Sequence, residues 1–347
     1  MLSRVARNIY WMARYLERAE NTARIVGVHS NLLMDLPRER SAGWEPLLAI
    51  TGSGELFRPH FSAATEGDVV AFLIGDPRNP GCILSSLQSA RENLRTTRDI
   101  IPRESFEAIN DLYLWTRDQV TAGVPKYERH DFLRRIIRVS QQINGFLQGS
   151  MSRGIGYDFL ELGRYLERAD MTTRVLDVRA AHLLYRPADG GAEPEHHELN
   201  PYENIQWMSV LRSLTAYQMY RQHVRLRVQG ADVLAFLLQD PAFPRAYRFC
   251  LDEIQRCLER LPRHQNPLRR VVRLQRQIQT TAVRELAFDE GLHEFIDGLQ
   301  IGLAELHDLI AATYLNSARQ EPLGLAKAGG DDANPATQGQ ASRAPSA

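Results

Sequence analysis

The chain contains few cysteines. Only three of its 347 residues are cysteine, Cys82, Cys250 and Cys257, and no two of them form a CxxC pair. An odd number of thiols without such a pair is typical of a reduced intracellular protein and not of a disulfide-stabilised secreted one. We therefore expect a cytoplasmic protein whose thiols are free and structural.

Long apolar runs are also missing. No segment approaches the roughly 18 consecutive apolar residues of a membrane-spanning helix. The N-terminal residues MLSRVARNIYWMARYLERAE lack the apolar core and the small-residue cleavage site of a signal peptide. The sequence therefore predicts neither a membrane association nor a secretory signal.

Charge of either sign is not in excess. Lys plus Arg and Asp plus Glu each number 42, so the formal net charge is zero. A protein that binds nucleic acid usually carries a basic excess or a basic stripe that neutralises phosphates. The balance predicts no nucleic-acid partner.

Common catalytic and metal-binding patterns are absent or isolated. The chain has no HExxH, GxxxxGK[ST] or GxSxG pattern. Glu290 and His293 form its one ExxH pair, whereas a di-iron helical bundle needs two such pairs and two further glutamates. The segment EPEHHE (193–198) could ligate a metal but is better explained as a solvated acidic loop. We predict no metal site and no cofactor.

What the chain does have is helical periodicity along most of its length. In the first segment, apolar residues recur at steps of three and four from Val5 to Val26, which places them in a narrow stripe on one helix face. No clear alternating strand pattern accompanies them. The sequence predicts an all-α fold.

Two pairs of segments repeat within the chain. ARYLERAENTARIVGV (13–28) and GRYLERADMTTRVLDV (163–178) are identical at nine of sixteen positions. FLIGDPRNP (72–80) and FLLQDPAFP (236–244) share Phe, Leu, Asp and two Pro at an offset of 164. We infer that a helical unit has been duplicated.

The repeats suggest a domain organisation. We predict one helical domain, 1–318, built as a duplicated helical bundle with two pseudo-symmetric halves of four to five helices each. The halves cover about 1–152 and 153–318, and a Gly- and Pro-rich loop, 185–204, is inserted in the second. Residues 319–347 are rich in Ala, Gly, Pro and Ser, which predicts a disordered tail.

A charged flank accompanies the apolar stripe of the repeated segment. With about 100° per residue, Glu17, Glu20 and Arg24 lie on one side of the stripe, whereas Arg18 points away from it. Glu20 precedes Arg24 by four residues, the spacing at which an acid and a base pair on a helix. Glu17 lies two turns from Arg24, so we expect both to retain capacity for another partner.

The second copy carries the same flank. Asp170 and Arg174 repeat the acid–base pair, and Glu167 takes the place of Glu17. A small residue, Ala13 or Gly163, lies beside the charges in each copy and leaves room for a ligand or for a closely packed helix. The candidate site, a ligand site or a network between the halves, comprises charged residues of both copies: Arg14, Glu17, Arg18, Glu20, Arg24, Arg164, Glu167, Arg168, Asp170 and Arg174.

The flank has a structural and a functional interpretation. In the first, Glu17 and Glu167 each pair with an arginine of another helix, and half-buried ion pairs fix how the halves pack. In the second, the cluster binds a carboxylate, an amine or a phosphate, with arginine supplying bidentate contacts. An enzyme would use Glu17 and Glu167 as acid–base groups with a pKa raised by burial, while Arg24 and Arg174 hold a carboxylate. Helical periodicity does not separate these interpretations.

Four segments together carry a family resemblance. They are LSRVARNIYWMARYLERAENTARIV, ILSSLQSARENLRTTRDI, GYDFLELGRYLERADMTTRVLDVR and FLLQDPAFPRAYRFCL. In this order they resemble the bacterial Alpha-E family, an all-helical domain named for its Glu-Arg motif. The resemblance covers about residues 1–318, and the name-giving pairs would be Glu17-Arg18 and Glu167-Arg168.

The resemblance implies partners and a function. Alpha-E proteins are typically encoded or fused beside circularly permuted ATP-grasp proteins, which join a carboxylate to an amine, and transglutaminase-like proteins, which cut or exchange amides. This implies a system that makes, attaches or removes a small peptide-like product. Because the chain has no phosphate-binding loop and no Cys-His-Asp signature, we expect a non-catalytic accessory or peptide-binding component. The alternative is a stand-alone enzyme that acts on peptides with a Glu/Arg acid–base site.

Overall fold

A computed structural model describes residues 3–37, 43–184, 201–224, 227–286 and 291–316. The regular structure of these residues is helical, without strands, which confirms the all-α prediction. No helix among them is long and apolar enough to cross a membrane. The α-helices are α1 (Ser3–Asp35), α2 (Glu45–Thr51), α3 (Gly54–Phe57), α4 (Glu66–Ile74), α5 (Ile83–Arg95), α6 (Arg103–Gln119), α7 (Lys126–Ser150), α8 (Ile155–Leu184), α9 (Pro201–Ser213), α10 (Tyr217–His223), α11 (Gly230–Gln239), α12 (Tyr247–Glu259), α13 (Gln265–Thr280), α14 (Val283–Leu286) and α15 (Leu292–Ile310).

The helices pack in a reciprocal pattern. α1 and α8 contact each other at the centre, α1 packs against α5 and α7, and α8 packs against α12 and α15. α1 also contacts α9, and α8 contacts α2. The bounds of α5 coincide with those of α12 when they are shifted by 164 residues. Such packing is what a duplication would produce, and the duplication itself stays a prediction.

Two helix ends repeat the same turn. Gly52 after α2 and Thr215 after α9 have positive φ angles, 64° and 55°. In each turn the next residue, Ser53 or Ala216, donates its backbone N–H to a carbonyl five residues earlier. This is the Schellman arrangement, which satisfies carbonyls left free at a helix end. Glycine adopts it without steric cost, whereas Thr215 does not.

The number of helices exceeds the sequence-based expectation. Among the described residues, the helices of thirteen residues or more are α1, α5, α6 and α7 in the first predicted half and α8, α9, α12, α13 and α15 in the second. Only this subset has four and five members, whereas all the described α-helices number seven and eight. Shorter helices such as α3, of four residues, add to them because a single turn leaves no periodic pattern to recognise.

The predicted boundaries can be compared with the helices. The division near residue 152 falls in the connection between α7 and α8. The predicted loop 185–204 is too long, because residues 201–204 belong to α9, which starts at Pro201. Proline is favoured in a first helical turn since its missing N–H would have no partner there. The remaining loop with EPEHHE, Glu290 and the tail 319–347 lie outside the described residues.

One apolar core extends through both halves and encloses much of α1. Its side chains on α1 include Ile9, Met12 and Leu16, each at most 1% exposed. Because other helices surround α1, Glu17 and Glu20 are buried as deeply as these. The predicted apolar stripe is buried, and burial extends beyond it to the charged flank.

All three thiols are free and buried. Burial raises the pKa of Cys250 to about 12. A thiol with such a pKa stays protonated at neutral pH and reacts slowly. The prediction of free structural cysteines is confirmed.

Candidate functional site

α1 and α8 are in close contact at Gly163. A Cβ atom at this position would lie 2.2 Å from the carbonyl oxygen of Tyr10 and 3.2 Å from the Cβ of Ala13. A Cβ atom cannot lie 2.2 Å from a carbonyl oxygen, so only glycine fits at position 163. The small residues predicted to leave room for a ligand or a helix accommodate the neighbouring helix.

Glu167 of α8 accepts hydrogen bonds from two arginines of α1. Arg14 Nε donates to its Oε2 at 2.8 Å, and Arg18 donates from Nε to Oε1 at 2.7 Å and from Nη2 to Oε2 at 3.1 Å. The side chain of Glu167 is 2% exposed. Both of its oxygens therefore have charged donors from the opposite helix.

Glu17 of α1 receives the reciprocal contact from α8. Arg168 donates from Nε and Nη2 to Glu17 Oε1 at 3.0 and 2.6 Å. Arg245, which precedes α12, brings its Nη2 to 3.5 Å from Glu17 Oε2, and Arg164 Nε lies 3.9 Å from Oε1. The structural interpretation, in which each glutamate pairs with arginines of another helix, describes this geometry.

The two predicted i,i+4 pairs, Glu20–Arg24 and Asp170–Arg174, each form within one helix. Arg24 donates to Glu20 Oε1 at 2.9 and 2.6 Å, and Arg174 Nε lies 3.0 Å from both carboxylate oxygens of Asp170. The i,i+4 predictions are confirmed. Arg168 donates only to Oε1 of Glu17, and the buried Oε2 has no hydrogen-bond partner among the described residues, so the expected spare capacity of Glu17 is present at this oxygen. Arg24 is held by Glu20.

The predicted orientation of Arg18 is also wrong. Measured from the apolar stripe alone, Arg18 points away from the core, yet its guanidinium reaches Glu167 of α8. The helical-wheel argument assumes one buried face. Since α1 is packed on several sides, the direction opposite its apolar stripe leads to another helix and not only to solvent.

Sequence reasoning missed Arg245. Its Nη1 donates to Asn21 Oδ1 at 2.7 Å, and its Nη2 lies 3.3 Å from Glu20 Oε1. It is 6% exposed. At the offset of 164 its position corresponds to Gly81, so the repeat pattern contains no signal for a charged residue there.

The arginines determine the ionisation of the central glutamates. Burial by itself raises the pKa of Glu17, but the charges of Arg168, Arg245 and Arg164 outweigh burial and lower it to about 2. Burial also raises the pKa of Glu167, but the charges and hydrogen bonds of Arg18 and Arg14 outweigh this effect and lower the pKa to about 2. The raised pKa required by the acid–base hypothesis is therefore wrong.

The network has a clear chemical capacity. Its glutamates are ionised at neutral pH and surrounded by guanidinium groups, so they neither donate a proton nor readily accept one. Charge-assisted hydrogen bonds of this type fix the relative position of the helices that carry them. In the described part of the chain, no three His, Cys, Asp or Glu side chains are grouped so as to hold a metal ion. Of the predicted site residues, Arg14, Glu17, Arg18, Glu167 and Arg168 thus make hydrogen bonds across the α1–α8 interface.

Comparison with known protein families gives a match over most of the chain. A family model described as "a predicted alpha-helical domain with a conserved ER motif" matches residues 1–315. The chain belongs to the Alpha-E family. Two Glu-Arg pairs of this Alpha-E chain, Glu17-Arg18 in α1 and Glu167-Arg168 in α8, supply residues that pair across the central interface.

Similar proteins are known by sequence. An uncharacterized protein, Rv2567 of Mycobacterium tuberculosis, is 20% identical over 339 residues, covering 90% of this chain and 37% of its own length. The uncharacterized protein Mb2597 of Mycobacterium bovis has the same identity and coverage. This Alpha-E chain therefore spans little more than a third of these relatives. No solved structure matches it.

Proposed function

We propose that this Alpha-E chain is a non-catalytic helical component of a system that forms or breaks amide bonds. Its partners would be a circularly permuted ATP-grasp protein and a transglutaminase-like protein, as the family resemblance implies. The chain would bind the ATP-grasp protein or present the peptide-like product to it. The bond chemistry would be carried out by the partners.

The observation that carries the proposal is the closure of the Glu/Arg network. An acid–base enzyme needs a carboxyl group whose pKa lies near the working pH. Glu17 and Glu167 have pKa values lowered to about 2 and are at most 2% exposed. These properties suit groups that hold α1 against α8 and do not suit groups that exchange protons with a substrate.

The relatives supply a second argument. In the mycobacterial proteins the region similar to this chain is 37% of the length, so most of each polypeptide lies outside it. A domain that occurs within longer proteins commonly works with the segments attached to it. The same cooperation would require association between separate chains where the domain is not fused.

The proposal can be tested by purification and reconstitution. The tagged chain is isolated from its native host, retained proteins are identified, and the purified ATP-grasp protein is mixed with it for light scattering. We expect a stoichiometric complex and no ADP release by the Alpha-E chain alone with ATP, a carboxylate and an amine.

The proposal would be contradicted if the purified chain alone processed a peptide and Glu17→Gln abolished this activity without changing the melting temperature. That outcome would favour the stand-alone enzyme.

A further inference from the structure

We propose that the outward face of α1 binds an extended acidic peptide segment. This inference rests on the proposed function, because it identifies the kind of peptide that the Alpha-E chain would present to its partner. This face, the α1 stripe, consists of five residues that recur at helical spacing: Arg4, Arg7, Trp11, Tyr15 and Arg18. It combines cationic ends with an aromatic centre. The ligand it fits carries carboxylates and apolar side chains.

The charge of the α1 stripe is of one sign. Arg4 and Arg7 are exposed, and neither has an ion-pair partner in the part of the chain that the structure describes. The only acidic residues of α1 before Asp35 are Glu17 and Glu20, both 1% exposed. Since no carboxylate of α1 lies on this face, Arg4 and Arg7 are available to an anionic ligand.

Arg18 retains hydrogen-bonding capacity although it pairs with Glu167. Glu167 accepts from its Nε and Nη2, and Nη1 has no acceptor among the described residues. The side chain is 28% exposed. A guanidinium that is held by one carboxylate and open on its other edge is pre-positioned to donate to a second.

The centre of the stripe is an aromatic platform. Trp11 and Tyr15 are half-buried and stacked, with ring centroids 5.4 Å apart. Arg14 lies over the ring of Trp11 at 5.1 Å, and His307 of α15 borders that ring at 5.3 Å. The platform is therefore fixed in place, and burial of an apolar side chain on it is favourable.

The second half closes the corresponding face of α8. Tyr165, which corresponds to Tyr15, is 7% exposed and contacts the ring of Phe249 at 5.9 Å. Glu161, in the position of Trp11, is 5% exposed. Arg168 is 13% exposed, compared with 28% for Arg18. The two faces therefore differ in accessibility although their helices repeat the same sequence.

The residues that cover α8 explain this difference. At the offset of 164, Phe249 and Glu253 of α12 correspond to Ser85 and Ser89 of α5. Small side chains thus replace large ones on the helix beside the α1 stripe.

A pair of matched contacts indicates that α5 and α12 lie similarly on their central helices. Asn8 of α1 donates to Thr96 after α5, and the corresponding Asp158 of α8 accepts from Arg260 after α12 at 2.8 Å. Ser85 therefore occupies the position relative to α1 that Phe249 occupies relative to α8. The first half is open because its covering side chains are short.

The dimensions of the stripe fit a short peptide. From Arg4 to Arg18 the helix rises about 21 Å, at roughly 1.5 Å per residue. An extended peptide of about six residues spans this length. The neutral net charge of the whole chain disfavours a polyanion such as RNA, whose affinity depends on a general basic excess. A peptide with alternating carboxylate and apolar side chains is the occupant that the stripe favours.

Peptide binding is measured by fluorescence anisotropy with three labelled probes. They are a hexapeptide of alternating Glu and Phe, the same peptide with Gln in place of Glu, and a single-stranded hexauridylate RNA. We expect the Glu/Phe peptide to bind at least tenfold more tightly than either of the others. Equal affinity for the Gln peptide, or no binding, would overturn the proposal. Tighter binding of the RNA would also overturn it and assign the stripe to nucleic acid.

Two variants locate the site. Arg4→Glu with Arg7→Glu removes the cations at one end, and Ser85→Phe with Ser89→Glu installs the side chains that cover α8. Each is expected to weaken binding of the Glu/Phe peptide at least tenfold while keeping the helical circular dichroism spectrum. The control, Arg134→Glu with Arg138→Glu on α7, reverses two exposed charges elsewhere and should leave binding unchanged.

These variants also separate this proposal from the proposed function. Complex formation with the ATP-grasp protein is measured on the same preparations. A chain that forms the complex but binds no peptide contradicts the peptide site alone. A chain that binds the peptide but forms no complex contradicts the proposed function alone, and folded Ser85→Phe/Ser89→Glu protein with undiminished affinity contradicts the location of the site.

Discussion

Arg168 of α8 donates two hydrogen bonds to Glu17 of α1, at 3.0 and 2.6 Å, although the residues are 151 positions apart in the sequence. Arg18 of α1 donates to Glu167 of α8 in return. Each ER pair is thus divided between the two central helices, because its glutamate accepts from the opposite helix and its arginine donates to it. These two Glu-Arg pairs therefore join α1 to α8 in this chain.

Removing one charge from this network should destabilise the protein. Glu167→Gln leaves Arg14, 10% exposed, without its carboxylate partner. Loss of one member of a buried ion pair costs about 3–5 kcal/mol. We expect the free energy of unfolding, measured with guanidinium chloride, to fall by that amount.

An exposed pair supplies the control. Glu107→Gln removes the partner of Arg103 on α6, where the two side chains are 53% and 86% exposed. Solvent-exposed pairs contribute about 0–1 kcal/mol. Similar losses in both variants would show that the central network has no special structural role.

The close contact of α1 and α8 predicts an unusual effect of alanine. Gly163→Ala would place its Cβ 2.2 Å from the carbonyl oxygen of Tyr10, so the helices must separate. Overpacking of this kind costs about 1–3 kcal/mol. We expect a corresponding decrease in the free energy of unfolding, measured by denaturant titration.

Gly145→Ala on α7 is the matched control. No atom of a neighbouring element lies within 4 Å of a Cβ at this position. Alanine in a helix interior is more favourable than glycine by about 0.5–1 kcal/mol. The two variants should therefore change stability in opposite directions, and a neutral Gly163→Ala variant would contradict the described packing.

Stability should fall in acid. The folded-state pKa values of Glu17 and Glu167 are about 2, below the ordinary value of 4.5, because neighbouring arginines outweigh burial. A carboxyl group whose pKa is lowered by folding stabilises the protein at pH values above its unfolded-state pKa. This stabilisation is lost as the pH falls through the folded-state pKa. We expect the free energy of unfolding to decrease between pH 4.5 and about 2, and the decrease should be smaller in a Glu17→Gln/Glu167→Gln variant that remains folded.

Two histidines should titrate on opposite sides of their ordinary pKa. The hydrogen bond and charge of Asp177 raise the pKa of His293 above 6.5, whereas burial and the charge of Arg14 lower that of His307 below it. An NMR titration of the imidazole protons measures both. Asp177→Asn should lower the pKa of His293 and leave that of His307 unchanged, and a His293 that titrates below His307 would contradict both assignments.

The sequence by itself determined the helical character of this protein and several local contacts. Periodicity at three and four residues predicts helices because each turn depends on neighbours along the chain. The pairs Glu20–Arg24 and Asp170–Arg174 follow from the same local geometry, which fixes residues four apart on one helix face. The resemblance to the Alpha-E family also needs only the order of residues.

Only the tertiary structure decided what the charged residues do. Whether Glu17 pairs with Arg168 depends on where α1 and α8 meet, and that contact is set by Ala13 and Gly163 fitting against each other. Arg245 is more than 200 residues from Glu20, so no local pattern could indicate their contact. The lowered pKa values result from charges on other helices, because electrostatic energy depends on distance in space and not along the chain.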